Sequence, residues 1–108
     1  MSWVLLFVAG VLEVLWALAL KESNGFSRLI PTVVFLPAYL ASAVLLGFAL
    51  RTLPVGTGYA IWVGIGAVGT AVLGIALFGE SVTLARLAAI GLIAIGVSWL
   101  AAGEATGG

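Results

Sequence analysis

The sequence predicts an all-α integral membrane protein with four transmembrane helices, and three observations support this prediction. Of its 108 residues, 64% are hydrophobic and only 7% are charged, whereas soluble domains have about 25% charged residues. The hydrophobic residues form four runs of roughly 20, the length that a helix needs to cross a bilayer. The breaks between the runs are short. We therefore expect one membrane domain, residues 1–103, and a short polar tail, residues 104–108.

The first hydrophobic run, residues 2–20, contains one charged residue, Glu13. Eleven Val, Leu or Phe residues surround it between Val4 and Leu20, and near the bilayer centre they favour insertion by about 3–6 kcal/mol in total. A carboxylate at that depth opposes insertion by about 3 kcal/mol. Because Glu13 weakens the insertion of its own helix, we interpret it as a functional residue. Two structural explanations remain open: an ion pair with a base of another chain, or a position at a hydrated helix end.

Three more spans follow, at residues 31–50, 57–78 and 84–102. The breaks before them carry turn signals, such as Asn24-Gly25 and the Pro- and Gly-containing segment 51–56. Pro31 suits the first turn of the second helix. Inside the same helix a small kink is expected at Pro37, because proline has no backbone N–H to donate.

The composition excludes several classes of function. The chain has no Cys and no His, and its formal net charge is +0. Without these side chains, a histidine-based hydrolase triad, a zinc site or a thiolate metal site cannot be assembled. A neutral chain also lacks the electrostatic attraction that nucleic acid requires. We therefore expect no enzyme activity, no metal or other cofactor, and no nucleic-acid partner.

Polar and aromatic residues inside the spans are candidates for a binding site around Glu13. Trp16 follows Glu13 by three residues, which places both on one helical face. Tyr59 and Trp62 have the same spacing in the third span, and Ser42 lies in the middle of the second. Interfacial belts and ordinary packing are the alternatives for the aromatic residues. A serine inside a helix often only bonds a carbonyl of its own helix.

Small residues predict close helix packing in the third and fourth spans. Gly64 and Gly66 lower the helix propensity of the third span and form a candidate hinge. Gly91 and Gly96 give the fourth span a small-residue face. Because four helices of this length barely enclose a cavity, we expect an oligomer.

The basic residues give a weak signal for orientation in the membrane. One side of the predicted bundle has Lys21, Arg28 and Arg86, whereas the other has Arg51 and the amino terminus. So small a difference in the number of basic groups on the two sides does not fix one topology. A single orientation and insertion in both orientations both remain open from the charges.

Four segments of the chain resemble the small multidrug resistance transporters and, within them, the guanidinium exporters. They are Gly10-Val11-Leu12-Glu13-Val14-Leu15-Trp16-Ala17, Ser23-Asn24-Gly25-Phe26-Ser27-Arg28-Leu29, Leu53-Pro54-Val55-Gly56-Thr57 and Gly58-Tyr59-Ala60-Ile61-Trp62-Val63-Gly64-Ile65-Gly66-Ala67. The resemblance extends from Met1 to about Leu100. It implies a multi-pass protein of the bacterial inner membrane that forms an antiparallel homodimer by insertion in both orientations. One substrate site would lie between the two copies of Glu13.

The residue three positions after the glutamate indicates the subtype. Guanidinium exporters have Trp there, as this sequence does at Trp16, whereas the exporters of polyaromatic drugs have Gly. Ser42, Tyr59 and Trp62 also resemble the positions that line the subtype's site. Gly10 and Tyr39 are candidates for the rim of the site. Two features depart from the subtype. Tyr39 is closer to the drug-exporter pattern, and the end of the fourth span lacks a Lys.

The resemblance implies proton-coupled antiport of guanidinium and small substituted guanidinium cations. Planar guanidinium can pair with a carboxylate through two parallel hydrogen bonds, and Trp faces add cation–π contacts of about 0.5–2 kcal/mol. A proton and the cation would compete for Glu13, so that protons serve as the coupling ion without a cofactor. The alternatives are an exporter of hydrophobic quaternary ammonium or polyaromatic cations, and a structural or regulatory membrane subunit that transports nothing.

Overall fold

Four α-helices account for most of the computed structural model, which describes residues 2–105. They are α1 (Ser2–Glu22), α2 (Leu29–Ala49), α3 (Val55–Phe78) and α4 (Leu84–Ala105). Each has a window of apolar residues long enough to cross a membrane. The prediction of four helices that are long and apolar enough to span a membrane is confirmed.

The helix ends differ from the hydrophobic boundaries by a few residues. The first helix continues through Lys21 and Glu22, and α2 and α3 each begin two residues earlier than expected. Helix α4 includes Glu104 and Ala105, which were predicted to belong to the polar tail. Hydropathy marks where a chain leaves the bilayer, whereas a helix ends where its backbone hydrogen bonds end. Residues 106–108 of the predicted tail lie outside the described residues.

The connection between α1 and α2 is organised by Ser23, which is fully buried. Its hydroxyl donates to the Leu20 carbonyl at 2.7 Å and accepts the Phe26 N–H at 3.1 Å. Its own carbonyl accepts the backbone N–H groups of Ser27 and Arg28. Three successive residues, 24–26, adopt positive φ angles of 48°, 70° and 67°, which is unusual for the bulky Phe26. This local network satisfies the backbone while the chain reverses direction.

The connection between α3 and α4 has a cap at each helix end. Gly79 ends α3 with φ 64°, a left-handed conformation that glycine adopts without strain. Thr83 precedes α4, and its hydroxyl accepts the Arg86 N–H at 3.1 Å, which is an N-cap bond. Arg86 also pairs with Glu80 at 2.5 Å. The predicted fourth span therefore starts at a well-defined helix terminus.

The helices form a shallow layer in the order α2, α1, α3, α4. The Cα atoms extend over 45 × 35 × 16 Å. Within the described residues, α4 packs against α3 and has no buried residue of its own. The small buried core lies between the first three helices and consists of Leu6, Ala9, Leu46, Ala49 and Ile61. A layer this thin leaves wide apolar faces uncovered in a single subunit.

Glycines permit the close approach of α3 to both of its neighbours. A Cβ atom on Gly10 would lie 2.6 Å from Ile65 Cγ2, so α1 and α3 nearly touch there. A Cβ atom on Gly64 would overlap Val97 of α4. In the fourth span, by contrast, a Cβ atom on Gly91 or Gly96 would meet no atom within 4 Å, so the predicted small-residue face of this span is not packed within the single subunit. These two glycines lie on parts of α4 that α3 does not cover.

Candidate functional site

The carboxyl group of Glu13 lies at the contact between α1 and α3. A Cβ atom on Gly66 would overlap the Glu13 carboxyl, so the missing side chain makes room for the acid. Glu13 Oε1 is buried and has no hydrogen-bond partner. Burying such an oxygen costs free energy unless a hydrogen-bond donor reaches it. Gly66, predicted as a hinge, therefore also shapes the surroundings of Glu13.

No basic side chain of the described residues neutralises Glu13. The salt bridges found in residues 2–105 join Glu22 to Arg28 and Glu80 to Arg86, both near helix ends. Residues 2–105 also contain no group of three or more acidic residues that could bind a metal ion. Any positive partner of the carboxylate must consequently come from outside this part of the subunit.

Trp16 packs edge-on against two aromatic rings of α2. Its ring centroid lies 5.8 Å from Phe35 and 5.2 Å from Tyr39, with interplanar angles of 78° and 84°. Phe35 and Tyr39 are stacked at 5.6 Å, and Phe26 contacts Phe35 edge-on at 5.6 Å. The indole N–H of Trp16 is buried without a partner. The indole is thus held in place by ring contacts and leaves its only donor unused.

The hydroxyl of Ser42 is bonded to α1 and not to Glu13. Ser42 Oγ donates to the Ala9 carbonyl oxygen at 2.6 Å. Trp62 Nε1 donates to Ser42 Oγ at 3.0 Å and to the same Ala9 oxygen at 3.3 Å. Ser42 therefore makes no direct hydrogen bond to the Glu13 carboxyl in this structure. The alternative considered from the sequence, a bond to a carbonyl of the serine's own helix, is not what is observed either, because the Ala9 carbonyl belongs to α1 and Ser42 to α2.

The remaining predicted site residues are Tyr59, Gly10 and Tyr39, and each contacts a residue near Glu13, Trp16 or Trp62. Tyr59 is half-exposed, with its ring 5.6 Å from Trp62, and it does not donate to the buried Glu13 oxygen. Gly10 is buried against Ile65 in the α1–α3 contact. Tyr39 is partly exposed beside Trp16. The structure thus brings Tyr39 close to Trp16 and Tyr59 close to Trp62, on either side of α1.

Sequence reasoning missed two residues that contact the candidate site. Ala9 contributes its backbone carbonyl oxygen, and the residue type does not reveal such a role. Its position four residues before Glu13, on the same helical face, was the only signal in the sequence. Phe35 is four residues before Tyr39, the spacing that brings two rings onto one helical face. That spacing could have identified Phe35 and Tyr39, which are two members of the aromatic cluster of Trp16, Phe26, Phe35 and Tyr39.

Comparisons with known proteins agree with the architecture. The sequence model of the family described as Small Multidrug Resistance protein matches residues 1–93. A protein named guanidinium exporter from Yersinia pseudotuberculosis is 57% identical over 97 residues, which cover 90% of this chain and 93% of the relative. Proteins with the same name from Salmonella typhimurium and Citrobacter freundii are 56% and 54% identical, each over 90% of this chain and 92% of the relative. With four apolar helices and a family match over most of its length, the chain belongs to the Small Multidrug Resistance family of multi-pass membrane proteins.

Proposed function

We propose that this protein exports guanidinium and small substituted guanidinium cations in exchange for protons. The relatives named guanidinium exporters support a small-cation exporter and not an enzyme. The observation that carries the proposal is the Glu13 carboxyl in the middle of α1, with a buried oxygen that no group of the described chain satisfies. A cation rich in N–H donors would remove that deficit.

The surroundings of Glu13 favour a planar cation. Guanidinium presents parallel N–H donors that match both oxygens of a carboxylate. Trp16 lies one turn along the same helical face and is fixed by the rings of Phe35 and Tyr39. A tetrahedral ammonium with bulky substituents cannot form the paired hydrogen bonds, and it would have to displace the packed indole. Small planar substrates are therefore preferred in this proposal.

Proton exchange follows from the use of one carboxylate for two ligands. A protonated Glu13 has no negative charge to pair with a cation, so proton binding and guanidinium binding exclude each other. If the site opens to the two sides of the membrane in turn, export of the cation is coupled to the return of protons. No cofactor is required for this exchange.

The functional unit in this proposal is an antiparallel homodimer with one site between two copies of Glu13. The thin layer of helices supports an oligomer, since one subunit leaves α4 and much of α1 and α2 uncovered. The charge bias between the two sides is weak, three basic residues against Arg51 and the amino terminus, and is compatible with insertion in both orientations.

The test is transport by the purified protein in liposomes that contain a pH-sensitive dye. An inward gradient of guanidinium should drive protons out of the liposomes, and an equal gradient of a large quaternary ammonium ion should drive far fewer. Equal proton movement with both cations would favour the broad exporter instead. Absence of proton movement with either cation would contradict proton-coupled transport.

A further inference from the structure

An apolar groove follows the face of α1 that lies opposite Glu13. A helix turns by about 100° per residue, so Leu15, Leu18 and Glu22 are on the other side of α1 from the carboxyl group. These three residues line a cavity of about 480 Å³ that α2 and α3 close at its sides with Val34 and Phe78. The cavity is therefore separate from the candidate cation site.

A second cavity, of about 560 Å³, continues the groove between α1 and α3. It shares Leu15 and Leu18 with the first cavity and extends to Phe7. At 1.5 Å per residue, the groove from Phe7 to Glu22 is about 22 Å long, whereas the hydrocarbon of one bilayer leaflet is about 15 Å deep. The groove thus has the length and the apolar lining that suit the acyl chain of a lipid.

A base without a carboxylate partner stands where the groove ends. Lys21 Nζ lies 5.3 Å from the ring centroid of Phe78, a residue of the groove wall. The other charged residues near this end of the helices form two ion pairs, Glu22–Arg28 and Glu80–Arg86. Lys21 belongs to no salt bridge among residues 2–105. The three bases and two acids leave one net positive charge at this end of the groove.

We propose that the groove binds an anionic phospholipid, with an acyl chain against Leu15 and Leu18 and the phosphate beside Lys21. A basic residue near the membrane surface attracts anionic headgroups, and Lys21 has no internal acid to compete with the lipid. The binding site lies on the opposite face of α1 from Glu13, so the inference goes beyond the proposed transport function and does not depend on it.

The acidic residues of the chain argue against a second subunit as the occupant of the groove. The sequence has four acidic residues. Glu22 and Glu80 are paired with arginines, Glu104 accepts a hydrogen bond from Thr57 at 3.1 Å, and Glu13 lies between α1 and α3. Because each acid is already engaged or enclosed, a second copy has no free carboxylate to place beside Lys21.

The headgroup contact can be tested by native mass spectrometry of the full chain in detergent. Phosphatidylglycerol and phosphatidylcholine with the same acyl chains are added, and the unsubstituted protein should retain more of the anionic lipid. Lys21→Gln should reduce the retention of phosphatidylglycerol by about fivefold and leave phosphatidylcholine unchanged. The matched control is Arg51→Gln, because Arg51 lies 5.9 Å from the ring of Phe48, which is not part of this groove.

The acyl contact has its own pair of variants. Val34 lines the groove and its neighbour Val33 does not, although both are exposed on α2. Val34→Trp should reduce the retention of both lipids by filling the groove, and Val33→Trp should change neither. If Lys21→Gln has no more effect than Arg51→Gln, or Val34→Trp no more than Val33→Trp, the lipid site is wrong. A Val34→Trp protein that loses its oligomer in the same spectra but retains both lipids would assign the groove to a second subunit and overturn the proposal.

Discussion

The carboxyl group of Glu13 occupies the space that a side chain on Gly66 would fill. The two residues lie on different helices, α1 and α3, so the position of the acid depends on how closely these helices pack. Because the nearest atoms belong to the mobile end of a side chain, an added methyl group should move the carboxyl and leave the backbone in place.

Gly66→Ala should therefore weaken guanidinium binding more than it affects folding. Small-to-large changes in packed sites cost about 1–3 kcal/mol, and here we expect the cost to appear in binding affinity. The measurement is a guanidinium titration together with thermal unfolding of the same sample. Gly47→Ala is the matched control, since a Cβ atom on Gly47 would meet no atom within 4 Å. Equal affinities of the two variants would show that Gly66 does not set the position of the carboxyl.

Trp16 should limit the size of the cations that reach Glu13. Trp16→Gly removes an indole that is packed against Phe35 and Tyr39 and leaves a space beside the carboxyl. Guanidinium should bind about fivefold more weakly, which corresponds to about 1 kcal/mol of lost cation–π contact. Large quaternary ammonium ions should bind more tightly than before. Competition titrations with both cations provide the measurement.

A second Trp→Gly substitution controls for general loss of an aromatic residue. Trp99 is 78% exposed on α4, and Trp99→Gly should leave the preference between the two cations unchanged. If Trp16→Gly weakens the binding of both cations equally, Trp16 only packs against its neighbours. The proposal that the protein prefers small planar substrates then loses its main support.

Much of the fold was predictable because long apolar runs without charge have few alternatives to membrane helices. Glu13 stands out in the sequence as a candidate functional residue, since a charge in such a run is costly. The partner of Ser42 was not, because it is a backbone oxygen of Ala9, and any residue type provides one. The open position of Gly91 also escaped prediction, since small residues permit close packing without requiring a neighbour.

Insertion in both orientations predicts that one loop is reachable from both sides of the membrane. The chain has no Cys, so a single Ser27→Cys substitution introduces a unique thiol in the exposed turn after α1. An impermeant thiol reagent should label about half of the protein in intact cells or oriented vesicles and the rest only after permeabilisation. Thr52→Cys, in the next connection, should give the same pattern. One fixed topology would give a different result: the thiol at position 27 would be labelled completely from one side of the membrane, and the thiol at position 52 completely from the other side.

The central claim is that Glu13 binds both the cation and the proton, and Glu13→Gln tests it most directly because it removes the charge and the titratable proton while keeping the shape. In liposomes that contain a pH-sensitive dye, this variant should show neither guanidinium binding nor proton movement when guanidinium is added. Glu13→Asp should retain binding with a different pH dependence. The matched control is Glu22→Gln, at the exposed end of the same helix and paired with Arg28, and it should transport like the unsubstituted protein. Proton movement driven by guanidinium through the Glu13→Gln variant would contradict the account.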